Sequence, residues 1–187
     1  MTIKADHSKT KILTAAMALL ERCGARTLTL DKVAQEAGVS KGGLTHHFKS
    51  KPDLFLGLID MVIATMNDQL AEQLALEPKD APGRLTRAYM NCNLTTIRNG
   101  EAQSMRGLIE MVLAMPDLVA KRRHGLLEVH GAIEQDGLDP VQACALAAAS
   151  DGCWMNVLLG LWEPQDPRVE SVHAYLMALS RKAKVAR

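Results

Sequence analysis

Ser40, Lys41, Gly42, Gly43, Thr45, His46, His47, Lys49 and Lys51 crowd into one short stretch of this chain. Their lysines, hydroxyls and imidazoles can donate hydrogen bonds to phosphate oxygens and base edges, and glycine lets a backbone come close to a phosphate. The spacing excludes other chemistries. His46 and His47 are adjacent, whereas two metal ligands on one helix face need an i, i+4 separation. No H-E-x-x-H, G-x-S-x-G, P-loop or Rossmann pattern occurs, so the sequence assigns no catalytic residue, metal or cofactor.

Two short helices must position these groups. Thr29 can cap the first, whose apolar positions Leu30, Val33, Ala34 and Ala37 recur at helical spacing, with Asp31 favoured by the helix dipole in the first turn. Gly38 ends it, Val39 plugs the corner, and Ser40 caps the second helix. In that second helix only Leu44 and Phe48 need face inward, which leaves Lys41, Gly42, Gly43, Thr45, His46 and His47 largely outward. Two helical glycines cost about 1 kcal/mol each relative to alanine, a penalty that suits a surface pressed against a partner. Ser50 and Asp53 then form a capping-box pattern with Pro52 in the first turn, placing Lys49 and Lys51 beside a helix N-terminus as a phosphate clamp; the plain alternative is a solvated basic loop. Charge is asymmetric, +5 over residues 1–51 and −4 over the remainder, beneath a net +1.

From these residues the segment resembles the TetR family of bacterial transcriptional regulators. The resemblance covers roughly residues 8–54, including KTKILTAAMALLERCGARTLTL and the string AGVSKGGL followed by HHF and SKPDL. It implies a three-helix DNA-binding domain whose second and third helices form a helix-turn-helix, the third entering the major groove. Lys41, Gly42, Gly43, Thr45, His46 and His47 would then face double-stranded DNA, with Lys51 on a phosphate. Thr45 stands where the family commonly has an aromatic residue, and Pro52 where Glu is frequent.

The rest of the chain reads as helices cut by breakers at 77–83, 99–100, 115–116, 136–140 and 163–167, with no strand alternation. The expectation is an all-α protein of about nine helices, divided into a DNA-binding domain over 1–51 and a ligand-binding and dimerisation domain over 52–187. Residues 1–11 are polar and carry Lys4, Lys9 and Lys11, more like a flexible arm than a targeting segment. Cys23, Cys92, Cys144 and Cys153 include no C-x-x-C pair, which fits a reducing cytoplasm.

The segment from Pro140 to Trp162 is apolar nearly all round and is expected to be one helix buried on more than one side. Asp151 near its middle and acidic flanks weigh against a membrane span. A homodimer interface fits better: Ala147, Ser150, Trp154 and Leu158 on this helix, with Val169, Val172, Leu176 and Leu179 on the last, would build a four-helix bundle. Its two-fold axis would set two recognition helices on a palindromic operator. A purely intramolecular core is the competing reading. Met66, Cys92, Thr96, Met105, Ile109, His130 and Trp154 are the candidate lining of a pocket for an apolar or aromatic small-molecule effector, although methionines and a lone histidine at such spacing also serve as ordinary core. The functional expectation is a ligand-released repressor. Its alternatives are a helical ligand-binding or scaffold protein lacking specific DNA binding, and an activator of the same fold.

Overall fold

A computed structural model describes residues 2–182, which form ten helices: α1 Thr2–Thr27, α2 Leu30–Glu36, α3 Lys41–His47, α4 Lys51–Ala75, α5 Arg84–Arg98, α6 Glu101–Ser104, α7 Arg106–Ala114, α8 Pro116–Ile133, α9 Pro140–Leu158 and α10 Pro167–Lys182. No strand occurs among the described residues. The count exceeds the expected nine because the segment after Gly100 divides at Met105 into a single turn, α6, and a separate helix, α7. The expected arm is likewise helical. Residues 2–11 open α1, since nothing before Gly24 in this segment breaks a helix; Met1 lies outside the described residues.

The chain forms two compact units, the first built from residues 1–64 and 105–123, the second from 65–104 and 124–187. The first extends well past residue 51, where the sequence suggested a division, because its core continues into the next helix. Leu54, Phe55, Leu58 and Ile59 of α4 join Ile12, Leu13, Ala16 and Leu20 of α1, Val33 and Ala34 of α2, Leu44 of α3 and Phe48 in one cluster. Burying each of the larger side chains contributes about 1.5–3 kcal/mol. By length and composition α4 could cross a membrane, yet this packing accounts for its apolar first half. Leu108 and Met111 of α7 complete the cluster, and α7 lies against α1 so closely that a Cβ at Gly107 would sit 2.5 Å from the carbonyl oxygen of Leu20.

The second unit is organised around α5, α9 and α10. Tyr89, Met90, Ile133, Leu138, Ala143, Leu146, Ala147 and Leu176 form one cluster, and Leu94, Ile97, Ala102, Cys153, Val157 and Val169 a second. Cap chemistry sets the starts of its last two helices: Asp139 accepts from the Gln142 amide at 3.0 Å ahead of Pro140, and Asp166 accepts from the Arg168 amide at 2.9 Å ahead of Pro167. Helix α9 ends at Leu158 rather than reaching Trp162. Gly160 takes a left-handed backbone (φ 72°) and the amides of Gly160 and Leu161 bond back to Val157 and Asn156, each at 2.9 Å, which closes the helix.

This packing corrects much of the expected dimer surface. Ala147, Ser150, Leu158, Val169 and Leu176 are buried in the protomer's own core, and Val172 and Trp154 are half-buried against it; only Leu179 of that set is exposed. The physical reason is that α9 is apolar on two faces, and α5 and α10 of the same chain cover the one chosen from sequence.

Candidate functional site

The geometry of the candidate nucleic-acid interface follows from its caps. Thr29 accepts from the Lys32 amide at 3.3 Å and Ser40 from the Gly43 amide at 3.0 Å, so both helices start where the sequence places them. Between them Gly38 is left-handed (φ 58°), and the amides of Gly38 and Val39 return to the carbonyls of Gln35 and Ala34 at 3.1 and 3.0 Å. This satisfies the last carbonyls of α2 and turns the chain sharply into α3. Leu44 and Phe48 are buried, which fixes the roll of α3 and leaves Lys41, Gly42 and His46 exposed, with Gly43, Thr45 and His47 partly so.

Each outward group has a definite state. Lys41 pairs with Asp31 at 2.9 Å, with both side chains more than two-thirds exposed. Such a pair is worth only about 0.2–1 kcal/mol and yields readily to a phosphate. The Thr45 hydroxyl turns back to the carbonyls of Lys41 and Gly42, at 3.0 and 3.2 Å. His46 stands edge-on to His47, ring centroids 5.3 Å apart. The two glycines differ. A Cβ on Gly43 would come within 3.2 Å of the Ser40 hydroxyl, so the cap itself favours glycine there, whereas a Cβ on Gly42 would meet nothing within 4 Å. Among the described residues no neighbour accounts for glycine at position 42.

Lys49 is exposed, while Lys51 is more occupied than the sequence indicated. Its ammonium donates to the Ala25 carbonyl at 2.9 Å and lies 5.3 Å from the Phe55 ring centroid, and burial lowers its pKa. One of its three donors therefore ties α4 to the end of α1, leaving two for a phosphate. Glu110 of α7 reaches the same place, accepting from the Ala25 amide at 3.4 Å beside Gly24, whose φ of 72° interrupts α1. The sequence offered no signal for this meeting of residues remote along the chain.

Of the candidate effector residues, Met105 and Ile109 belong to the first unit, and Met66, Cys92, Thr96, His130 and Trp154 to the second. Met66 is exposed, and Trp154 packs against the cluster containing Val157. The Cys92 thiol is pushed up to about 11 by burial, with the Glu72 charge adding to it. A water-sized cavity of about 10 Å³ lies among Asn93, Leu94, Ile97, Ser150, Cys153, Val169, His173 and Leu176 of the second unit. His130 joins a polar cluster. Asp151 accepts from the Tyr89 hydroxyl at 2.7 Å and the Asn93 amide at 2.9 Å, and its other oxygen lies 3.5 Å from the His130 ring. Tyr89 and His130 meet edge-on with centroids 5.5 Å apart. Burial, then the Asp151 charge, hold the Tyr89 phenol well above its ordinary pKa. Tyr89 and Asn93, at i, i+4 on α5, are not among the residues the sequence singles out, because their partner Asp151 lies 62 and 58 residues away.

Comparisons with known proteins agree with this architecture. The family model for bacterial regulatory proteins, tetR family, matches residues 12–58, and that for the tetracyclin repressor-like C-terminal domain matches residues 83–181. The HTH-type transcriptional regulator BetI of Vibrio atlanticus (strain LGP32) is 23% identical over 181 residues, 91% of this chain and 88% of that protein. A transcriptional regulator from Rhodococcus sp. Rha1 superposes with a TM-score of 0.73 at 19% identity, over 96% of this chain and 99% of that one. The multidrug binding protein EbrR, complexed with imidazole, superposes with a TM-score of 0.62 at 25% identity, over 91% of this chain and 93% of its own. With an all-α fold, a doubly capped helix-turn-helix and both family models in register with them, this chain belongs to the TetR family of transcriptional regulators.

Proposed function

We propose that the protein is a homodimeric, cytoplasmic repressor that binds a palindromic operator and is released by a small apolar or aromatic effector. The observation that carries DNA reading is the exposed face of α3, where Lys41, Gly42 and His46 are presented and no neighbour among the described residues accounts for Gly42. Lysines at positions 41, 49 and 51 would supply sequence-independent attraction to phosphates, and His46 would read base edges, with Thr45 beside it offering a methyl and an acceptor oxygen.

Dimerisation is supported by an exposed stripe on the second unit. Val141, Ala145, Ala148, Gly152 and Met155 recur along the solvent face of α9, with Leu159 continuing it at the C-cap, and Tyr175, Ala178 and Leu179 along that of α10. Small residues between larger apolar ones allow two helices to approach closely, and a two-fold axis through this face would form the four-helix bundle. The register differs from that read from sequence by about one residue on α9. Effector response is supported by the structural likeness to EbrR, a multidrug binding protein. Helices α4 and α8 each contribute residues to both compact units, which gives a ligand bound in the second unit a covalent route for biasing the first.

Fluorescence anisotropy on the DNA immediately upstream of the gene, against a scrambled duplex of equal length across a salt series, tests the reading. Saturable preference for the native fragment near physiological salt is the expected result. Equal, steeply salt-sensitive binding to both duplexes would reduce the interface to electrostatic attraction.

A further inference from the structure

Asp151 is a carboxylate on an otherwise apolar helix, and its two oxygens are treated differently. One accepts two short hydrogen bonds, from the Tyr89 hydroxyl at 2.7 Å and the Asn93 amide at 2.9 Å. The other has only the His130 ring at 3.5 Å, too far for a strong hydrogen bond. Nδ1 of His130 is buried without a partner. A proton there would be a buried unpaired donor, so the neutral ring favours carrying it on Nε2, toward Asp151. Among the described residues no lysine or arginine pairs with this carboxylate, and its partners are hydroxyl, amide and imidazole. The second oxygen therefore keeps lone-pair capacity for a further donor.

The spot is accessible, since the side chains of His130 and Asp151 are 38% and 39% exposed. Tyr89 itself belongs to an apolar cluster against which Leu70 and Val129 pack, half-buried. The Tyr89 ring is itself buried and met edge-on by His130, so the site is no aromatic cage and provides no stacked faces for a quaternary ammonium. What it offers is an acceptor for an N–H.

We infer that the open oxygen of Asp151 seats the ammonium group of a primary or secondary amine bearing an apolar or aromatic tail. This deepens the effector reading and rests on it for its regulatory meaning, while the binding itself stands apart. The test titrates the full-length protein with benzylamine, benzyltrimethylammonium and benzyl alcohol, following the Asn93 side-chain amide by NMR. In parallel, anisotropy follows the complex with the upstream DNA. Benzylamine is expected to shift the Asn93 signal at concentrations at least tenfold below the other two, and Asp151→Asn to abolish that difference. Equal response to all three probes, silence toward benzylamine, or a preference unchanged in Asp151→Asn overturns the inference. The probe series needs no variant and remains decisive if Asp151→Asn folds poorly. Release of DNA by benzyl alcohol with Asn93 silent toward benzylamine would sink the amine site and leave effector control standing. A benzylamine shift without any change in DNA affinity would do the reverse.

Discussion

Replacing Gly42 with alanine separates the two demands on α3, because stability and DNA binding should move in opposite directions. Gly42 is helical, exposed, and has open space where a Cβ would go. Within the free protein the added methyl strains nothing and removes the conformational cost of a helical glycine, about 0.5–1 kcal/mol. For a chain of this size that raises Tm by about 1–4 °C. On DNA the same methyl would occupy space the backbone needs against a phosphate or sugar. A misfit of that kind costs about 1–3 kcal/mol, roughly a 5- to 150-fold rise in Kd. Circular dichroism melts and anisotropy titrations at one fixed salt concentration read the two effects separately. Gly131→Ala is the comparator: it too lies in a helix with nothing within 4 Å, and it should raise Tm while leaving DNA affinity alone. An unchanged Kd for Gly42→Ala would show that DNA does not approach position 42. A fall in both Tm and affinity would place the damage in the helix itself.

Further expectations concern the other contacts. Lys51→Ala should lower Tm through loss of its bond to Ala25 and also reduce the salt slope of DNA binding by about 0.9, the share of one phosphate contact; a lowered Tm with the slope intact would assign Lys51 to the fold alone. Gly107→Ala should destabilise by about 1–3 kcal/mol despite the better helix propensity of alanine, since its Cβ meets the Leu20 carbonyl at 2.5 Å; a higher Tm would contradict the packing of α7 on α1. Leu159→Glu should convert the protein to monomer in sedimentation equilibrium with helicity preserved, and a persistent dimer would place the interface elsewhere. For His173, burial foremost and the Arg98 charge in addition lower the pKa, against the opposing pull of Glu170. As pH falls through the ordinary histidine value of about 6.5, the unfolded chain takes up the proton first, so stability declines down to the depressed folded value and then levels. His173→Gln should flatten that part of the urea-unfolding profile, and an unaltered profile would remove His173 from the account.

Sequence and tertiary structure divide the determination of this protein by range. Thr29, Gly38, Ser40, Ser50, Asp139 and Asp166 act on amides or carbonyls a few residues away, so helix starts, the turn into α3 and the outward set from Lys41 to His47 were legible without coordinates. The choice of covered face was not. α9 carries apolar residues on two sides, and periodicity reports that both resemble core without saying which one α5 and α10 of the same chain take. Only packing gave Ala147, Ser150 and Leu158 to the interior and left Ala148, Gly152 and Leu159 outside. The same holds for polar groups whose partners are distant in sequence. Lys51 finds the Ala25 carbonyl 26 residues away, and Asp151 finds Asn93 and Tyr89 at separations of 58 and 62. A hydrogen bond is short-ranged in space and indifferent to chain separation, so composition and spacing can name its donors and acceptors, but only the assembled fold decides which of them meet.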